Sequence, residues 1–267
     1  MISQRAIAIL ILITAPCSLV LAQQGPANAE QAAPLPTPRT AAGRVSLRGT
    51  VPGTNGIWLP PPVGTPGTGT PVEEIPFQPW AKALYEERVI LRLEPHARCK
   101  ASGAARQFLT PYGVEFVEIP ELSSLYILDI GGPHSFRTVH MDGRTHPANP
   151  SPSNYGHSIG WWEGDTLVVD TVGYNEDFWF DRYGLPHTES LQTVERFVRV
   201  NHDVMEYELT VEDPGAYTGQ FTMAFELYFR SDEELFEYVC QQSNFADELM
   251  VGTEQTRTID RSTRIVP

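Results

Sequence analysis

Cysteine is scarce in this chain, and positive charge is too. The 267 residues hold three cysteines, Cys17, Cys99 and Cys240, and no Cys-x-x-Cys pair, so a local dithiol redox motif is absent. Lysine and arginine together number 19 against 33 aspartates and glutamates, a formal charge of −14. A surface of that sign repels phosphate backbones and anionic headgroups, which excludes nucleic acid and anionic membranes as expected partners. Also lacking are a Gly-x-Gly-x-x-Gly turn after a strand and a phosphate-binding loop, so no organic cofactor is expected. Past the N-terminus, no apolar run approaches the ~20 residues that a membrane-spanning helix needs.

The N-terminus itself is different. After Arg5 an apolar run extends from Ala6 to Ala22, broken only by Thr14, Pro16, Cys17 and Ser18. One positive charge, a short apolar core and a small residue at its end make a secretory signal over residues 1–22, with Ala27-Asn28-Ala29 a second cleavage option. The mature chain is therefore expected in the periplasm or outside the cell, with no integral membrane segment. Cleavage would remove Cys17 and leave Cys99 and Cys240. In an oxidising compartment two distant cysteines are most simply a disulfide, the alternatives being two buried thiols or one reactive thiol.

Eleven of the 23 prolines lie between Pro34 and Pro79. Proline removes backbone donors, so residues 23–75 read as a flexible Pro/Gly-rich segment outside the packed core, with Gly56–Leu59 as an outlying strand. The domain proper spans 76–267. Trp80–Leu93 is the helix candidate, with Trp80, Leu84, Glu87 and Leu91 at helical spacing and Pro79 at its start. Strands follow at Val114–Ile119, Leu125–Ile130, Ser135–His140, His157–Trp162, Thr166–Val172, Ser190–Val200, Val204–Glu212, Gln220–Arg230 and Leu235–Cys240, with Met141–Arg144 as an Asp-Gly turn. This pattern predicts a mainly β fold: an antiparallel meander that closes into a lipocalin-like β-barrel.

Side chains alternate across a strand, so spacing shows which groups share a face. A three-residue loop at Glu163-Gly164-Asp165 would set Trp162 opposite Thr166 and Ser158 opposite Asp170. His187, Glu189, Leu191, Thr193, Glu195 and Phe197 fall on one face, with Glu206, Glu208 and Thr210 of the next strand as possible neighbours. A face mixing His, two Glu, Leu and Phe suits an interior only if the carboxylates are paired, metal-bound or partly neutral.

Three readings stand. In the first, Glu195 pairs with a base such as Arg137 and His187 caps a loop. In the second, His187 works with Glu189, Glu195 or Asp170 as acid and base on a bound small molecule, His157 being a further candidate. In the third, His157, His187, Glu189 or Asp170 hold a divalent metal, although no local His-x-His or His-Glu-x-x-His spacing supports it. Gly156-His-Ser-Ile-Gly160 matches the outline of a nucleophile elbow, but a hairpin strand follows it where a helix is required. Aromatic residues crowd this region. Tyr155, Trp162 and Trp179, with Ser158 and Arg137, are candidate ligand contacts.

Three stretches, Pro76-Phe-Gln-Pro-Trp-Ala-Lys-Ala-Leu84, Gly156-His-Ser-Ile-Gly-Trp-Trp-Glu-Gly-Asp-Thr-Leu-Val-Val-Asp-Thr171 and Pro186-His-Thr-Glu-Ser-Leu-Gln-Thr-Val-Glu-Arg-Phe197, resemble a family of exported bacterial proteins without an assigned reaction. The resemblance runs from about Gly56 to Asn244. Similar members usually carry Arg at the position of Trp161, which implies that Trp161 points outward and that Trp162, Ser158 and Asp170 point inward. It implies export and the domain limits, but no mechanism. The leading expectation is an exported, cofactor-independent lyase, isomerase or hydrolase acting on a hydrophobic or partly polar small molecule. The alternative is a non-catalytic binder of a hydrophobic molecule. Convergence of His187 and a carboxylate in a pocket would favour the enzyme, and an aromatic-lined pocket without them the binder.

Overall fold

The computed structural model describes residues 33–49, 55–62, 70–91, 94–131, 134–179 and 181–240. The signal segment, with Cys17, lies outside the described residues. The described part is mainly β. Nine strands form one closed barrel, each paired with the next in chain order and the last with the first. They are β1 (Ile57–Leu59), β2 (Val114–Ile119), β3 (Ser124–Asp129), β4 (Ser135–His140), β5 (His157–Glu163), β6 (Thr166–Val172), β7 (Gln192–Arg199), β8 (Val204–Glu212) and β9 (Phe221–Arg230). Helices α1 (Pro79–Leu91) and α2 (Ala104–Gln107) lie between β1 and β2.

A ring of purely antiparallel neighbours needs an even number of strands, so nine strands require a parallel contact. It falls between β4 and β5, where Val139 faces Ser158 and His140 faces Ile159. The expected unbroken antiparallel meander is corrected at this point. The Asp142-Gly143 bend makes no hairpin, because the chain must travel back along the barrel before β5 can start parallel to β4. Asp142 instead accepts hydrogen bonds from the backbone and side chain of Arg144, at 3.2 and 2.9 Å.

The β5–β6 hairpin turns on two residues, not three. Glu163 pairs with Thr166, so Ser158 lies opposite Thr171 and Asp170 opposite Ile159. A two-residue turn with Gly164 at φ 61° matches the strand twist. One residue of register reverses faces: Ser158 and Thr171 point inward and are buried, whereas Asp170 is partly exposed on the outer side. The inward placement of Asp170 was therefore wrong. That of Ser158 agrees with the structure, as does the outward placement of Trp161, which is 40% exposed.

Leu235–Cys240 forms no strand. Cys240 is instead joined to Cys99 by a disulfide. The Pro/Gly-rich stretch also contributes more than expected: Val45, Leu47, Ile57, Trp58 and Ile75 are buried core residues. Here single apolar residues between prolines pack against the barrel although the stretch as a whole has the composition of a linker. On α1 the buried stripe is Ala81 and Tyr85, one residue round from the expected one. Trp80 stays 46% exposed because its indole reaches sideways to donate to the Gly215 carbonyl at 3.0 Å.

The barrel interior is filled. Burial alternates along β7, β8 and β9 with period two. Phe108, just after α2, enters as a plug, its ring 4.8 Å from Tyr207 and 5.3 Å from Phe197. Each fully buried aromatic of this kind stabilises the fold by roughly 1.5–3 kcal/mol.

Candidate functional site

The site follows from the shortness of β1. Pro60, Pro61 and Pro62 come directly after Leu59. None of them has an N–H to donate, so the strand cannot continue. β1 therefore pairs with only Arg230, Phe229 and Tyr228 of β9, and with β2 through the single pair Trp58–Val114. The part of β9 from Phe221 to Leu227 has no strand beside it on that side among the described residues. Pro60–Pro62, Thr70–Ile75, α1 and the loop around Asp181–Leu185 border a partly open cavity of about 850 Å³ at this seam. Met223 and Phe225 of β9, Val89 of α1, and Leu59, Leu109 and Leu185 give it an apolar lining. That volume lies in the range of small-molecule sites.

Two polar groups define one part of the wall. Oδ1 of Asp181 accepts backbone N–H bonds from Tyr183, Gly184 and Leu185, at 3.0, 2.7 and 3.0 Å. Oδ2 accepts none among the described residues. Burial pushes the Asp181 carboxyl up from its ordinary range, against the pull of those three donors. Tyr85 projects from α1, and burial, reinforced by the Asp181 charge, raises its phenol to about 12, so it remains a hydroxyl donor. Gly184 makes the turn possible. Its φ is 103°, and a Cβ there would stand 2.5 Å from the Arg88 side chain. Arg88 in turn lies over the Trp179 ring at 4.9 Å and donates to the Gly184 carbonyl at 3.2 Å.

The residues singled out in the sequence lie elsewhere. Arg137, Ser158 and Glu195 do meet, inside the filled barrel. Arg137 Nη1 donates to Glu195 Oε1 at 3.1 Å, Nη2 pairs with Oε2, and Nε donates to Ser158 Oγ at 3.0 Å. Tyr207 donates to Glu195 Oε1 at 2.9 Å, and the Ser158 and Thr171 hydroxyls bond at 2.8 Å. Burial opposes the Arg137 charge, but the Glu195 carboxylate outweighs it and holds the guanidinium above its ordinary value. Of the three readings, this is the paired one. The even-numbered neighbours Glu206 and Glu208 point away from it and are exposed.

His187 is buried, and its Nε2 bonds to the Phe178 carbonyl at 3.0 Å. Glu189 is exposed and its N–H donates to Glu176, so the two are not brought together. His157 and Asp170 share the outer wall. The Nδ1 atoms of His157 and His146 are 2.8 Å apart, and His146 Nε2 is 3.6 Å from Asp170 Oδ2. Among the described residues, no group of three or more His, Cys, Asp or Glu is arranged to hold a metal ion. Tyr155 bonds to Ser135 and Asp129 at 2.8 and 3.3 Å. Trp162 lines a separate cavity of about 200 Å³ beside Arg44, whose guanidinium lies 4.8 Å above its ring. Trp179 does not line the seam cavity.

Burial lowers His187 to about 4, partly offset by the Phe178 carbonyl. A folded value below the ordinary one of about 6.5 means that the unfolded chain binds the proton first. The contribution of His187 to stability is thus complete above about pH 6.5 and lost as pH falls towards 4. An NMR titration of the imidazole is expected to show a neutral ring throughout pH 7–5, and a midpoint near 6.5 would contradict this burial.

Sequence reasoning missed Asp181, Tyr85 and Met223. The local signal for Asp181 was an aspartate three residues before a glycine, a pattern for a side chain that caps its own turn. Together, fold and site define a closed nine-stranded barrel, compatible with a lipocalin-like layout, whose cavity lies at a seam in its wall. No family model, curated protein or solved structure matches the chain.

Proposed function

We propose that the protein binds a small, largely apolar molecule without transforming it, and that it does so outside the cytoplasm. The observation that carries this reading is the seam cavity of about 850 Å³, apolar along most of its wall, with Asp181 and Tyr85 as polar contacts. Apolar walls supply affinity and a few polar groups set orientation. The acid–base reading has less support. Glu195 is taken up by Arg137, Glu189 is exposed, and His187 does not line the cavity. Export is supported by the signal-like segment 1–22 and by the Cys99–Cys240 disulfide, a bond that persists in oxidising compartments. Kinship with the exported family rests on the three stretches given above.

Binding can be tested with N-phenyl-1-naphthylamine, a neutral apolar fluorophore. The expected result is saturable fluorescence enhancement at one site per chain. Val89→Trp, which fills the cavity from α1, should weaken binding at least tenfold, about 1.4 kcal/mol, while the far-ultraviolet circular dichroism is unchanged. No saturable enhancement, or equal affinity in the variant, would overturn the reading.

A further inference from the structure

We propose that the seam cavity is selective for a lipophilic amine, its ammonium group seated on Asp181 and its hydrocarbon part against Val89, Met223 and Phe225. This deepens the binding reading and rests on it. The two oxygens of Asp181 are unequally served. Oδ1 is saturated by three backbone N–H groups, whereas Oδ2 accepts no hydrogen bond among the described residues. Asp181 lines the cavity and is only 9% exposed. A carboxylate oxygen in such surroundings gains most from a donor, and a charged donor makes a bond about twice as strong as a neutral one.

No nearby cation hydrogen-bonds Oδ2 among the described residues, although the Arg106 charge acts on the carboxyl. Arg106 is paired with Glu94, and Arg88 is spent on Trp179 and the Gly184 carbonyl. Arg182 and Arg230 line the same cavity but are exposed, where water screens them. Tyr85, Tyr183 and Tyr228 also line it, and aromatic faces attract cations. An anionic amphiphile would meet the Asp181 charge at the buried wall.

The test compares three probes of equal chain length, decylamine, decanol and decanoate, by titration calorimetry at about pH 8, where an alkylamine is still protonated. Decylamine is expected to bind at least tenfold tighter than decanol, and decanoate more weakly than either. Asp181→Asn keeps the acceptor for the three backbone donors. It should cost decylamine at least tenfold more than it costs decanol, and an unchanged far-ultraviolet circular dichroism reports that the variant is folded. Should the variant not fold, the order of the three probes on the unmodified protein decides. Decanol binding as well as decylamine, or decanoate binding best, would overturn the amine assignment and leave the cavity a ligand site. Binding of none of the three would overturn both.

Discussion

Replacing Glu195 with alanine is expected to destabilise the protein by about 3–5 kcal/mol, the usual cost of leaving one partner of a buried ion pair behind. Both partners are sealed: Glu195 is 0% exposed and Arg137 1%. Without the carboxylate, the guanidinium keeps only the Ser158 and Thr171 hydroxyls, 3.0 and 3.4 Å away. The Tyr207 hydroxyl loses its acceptor at the same time. Replacing both residues, as Arg137→Met with Glu195→Leu, should cost far less than the two single changes added together, because no charge remains uncompensated. Denaturant unfolding of the four proteins of this cycle measures the coupling. A single substitution costing under about 1 kcal/mol would mean that water reaches the pair.

The second large effect belongs to the disulfide. Cys99 and Cys240 are 141 residues apart, and the loop between them contains eight of the nine strands. In the chain-entropy model, opening a loop of that length costs about 5 kcal/mol, through the freedom the unfolded chain regains. Cys99→Ala with Cys240→Ala should therefore lower the melting temperature by about 10 °C or more. A fall of only one or two degrees would show that the bridge merely pins residues 231–240, with little hold on the barrel.

The mainly β fold was legible because β8 and β9 alternate buried and exposed side chains without interruption, a period that only a strand produces. The pairing of Glu195 with Arg137 was legible too, since Glu195 shares the face of Leu191 and Phe197. The face of Asp170 was not. It depended on whether Glu163 ends β5 or opens the turn, and one residue reverses the outcome. Likewise, nothing local marks β4 and β5 as parallel. That follows from closing a ring of nine, a property of the whole barrel. The cavity was hidden for the same reason. The prolines after Leu59 have the composition of a linker, and their effect on β9, about 160 residues away, is visible only once β1 and β9 are neighbours. Asp181 gains its surroundings from α1, some 90 residues earlier in the chain.

The most direct test of the seam cavity uses methionine as a reporter. Three methionines occupy distinct places: Met223 on the cavity wall, Met205 in the filled interior and Met141 beside the smaller cavity at Trp162. With methyl-labelled methionine, NMR spectra are recorded as a neutral apolar probe is added. The Met223 methyl resonance should shift and saturate while those of Met205 and Met141 stay in place. Shifts at Met205 or Met141 with Met223 unmoved would place the ligand elsewhere and contradict the assignment of the seam as the binding site.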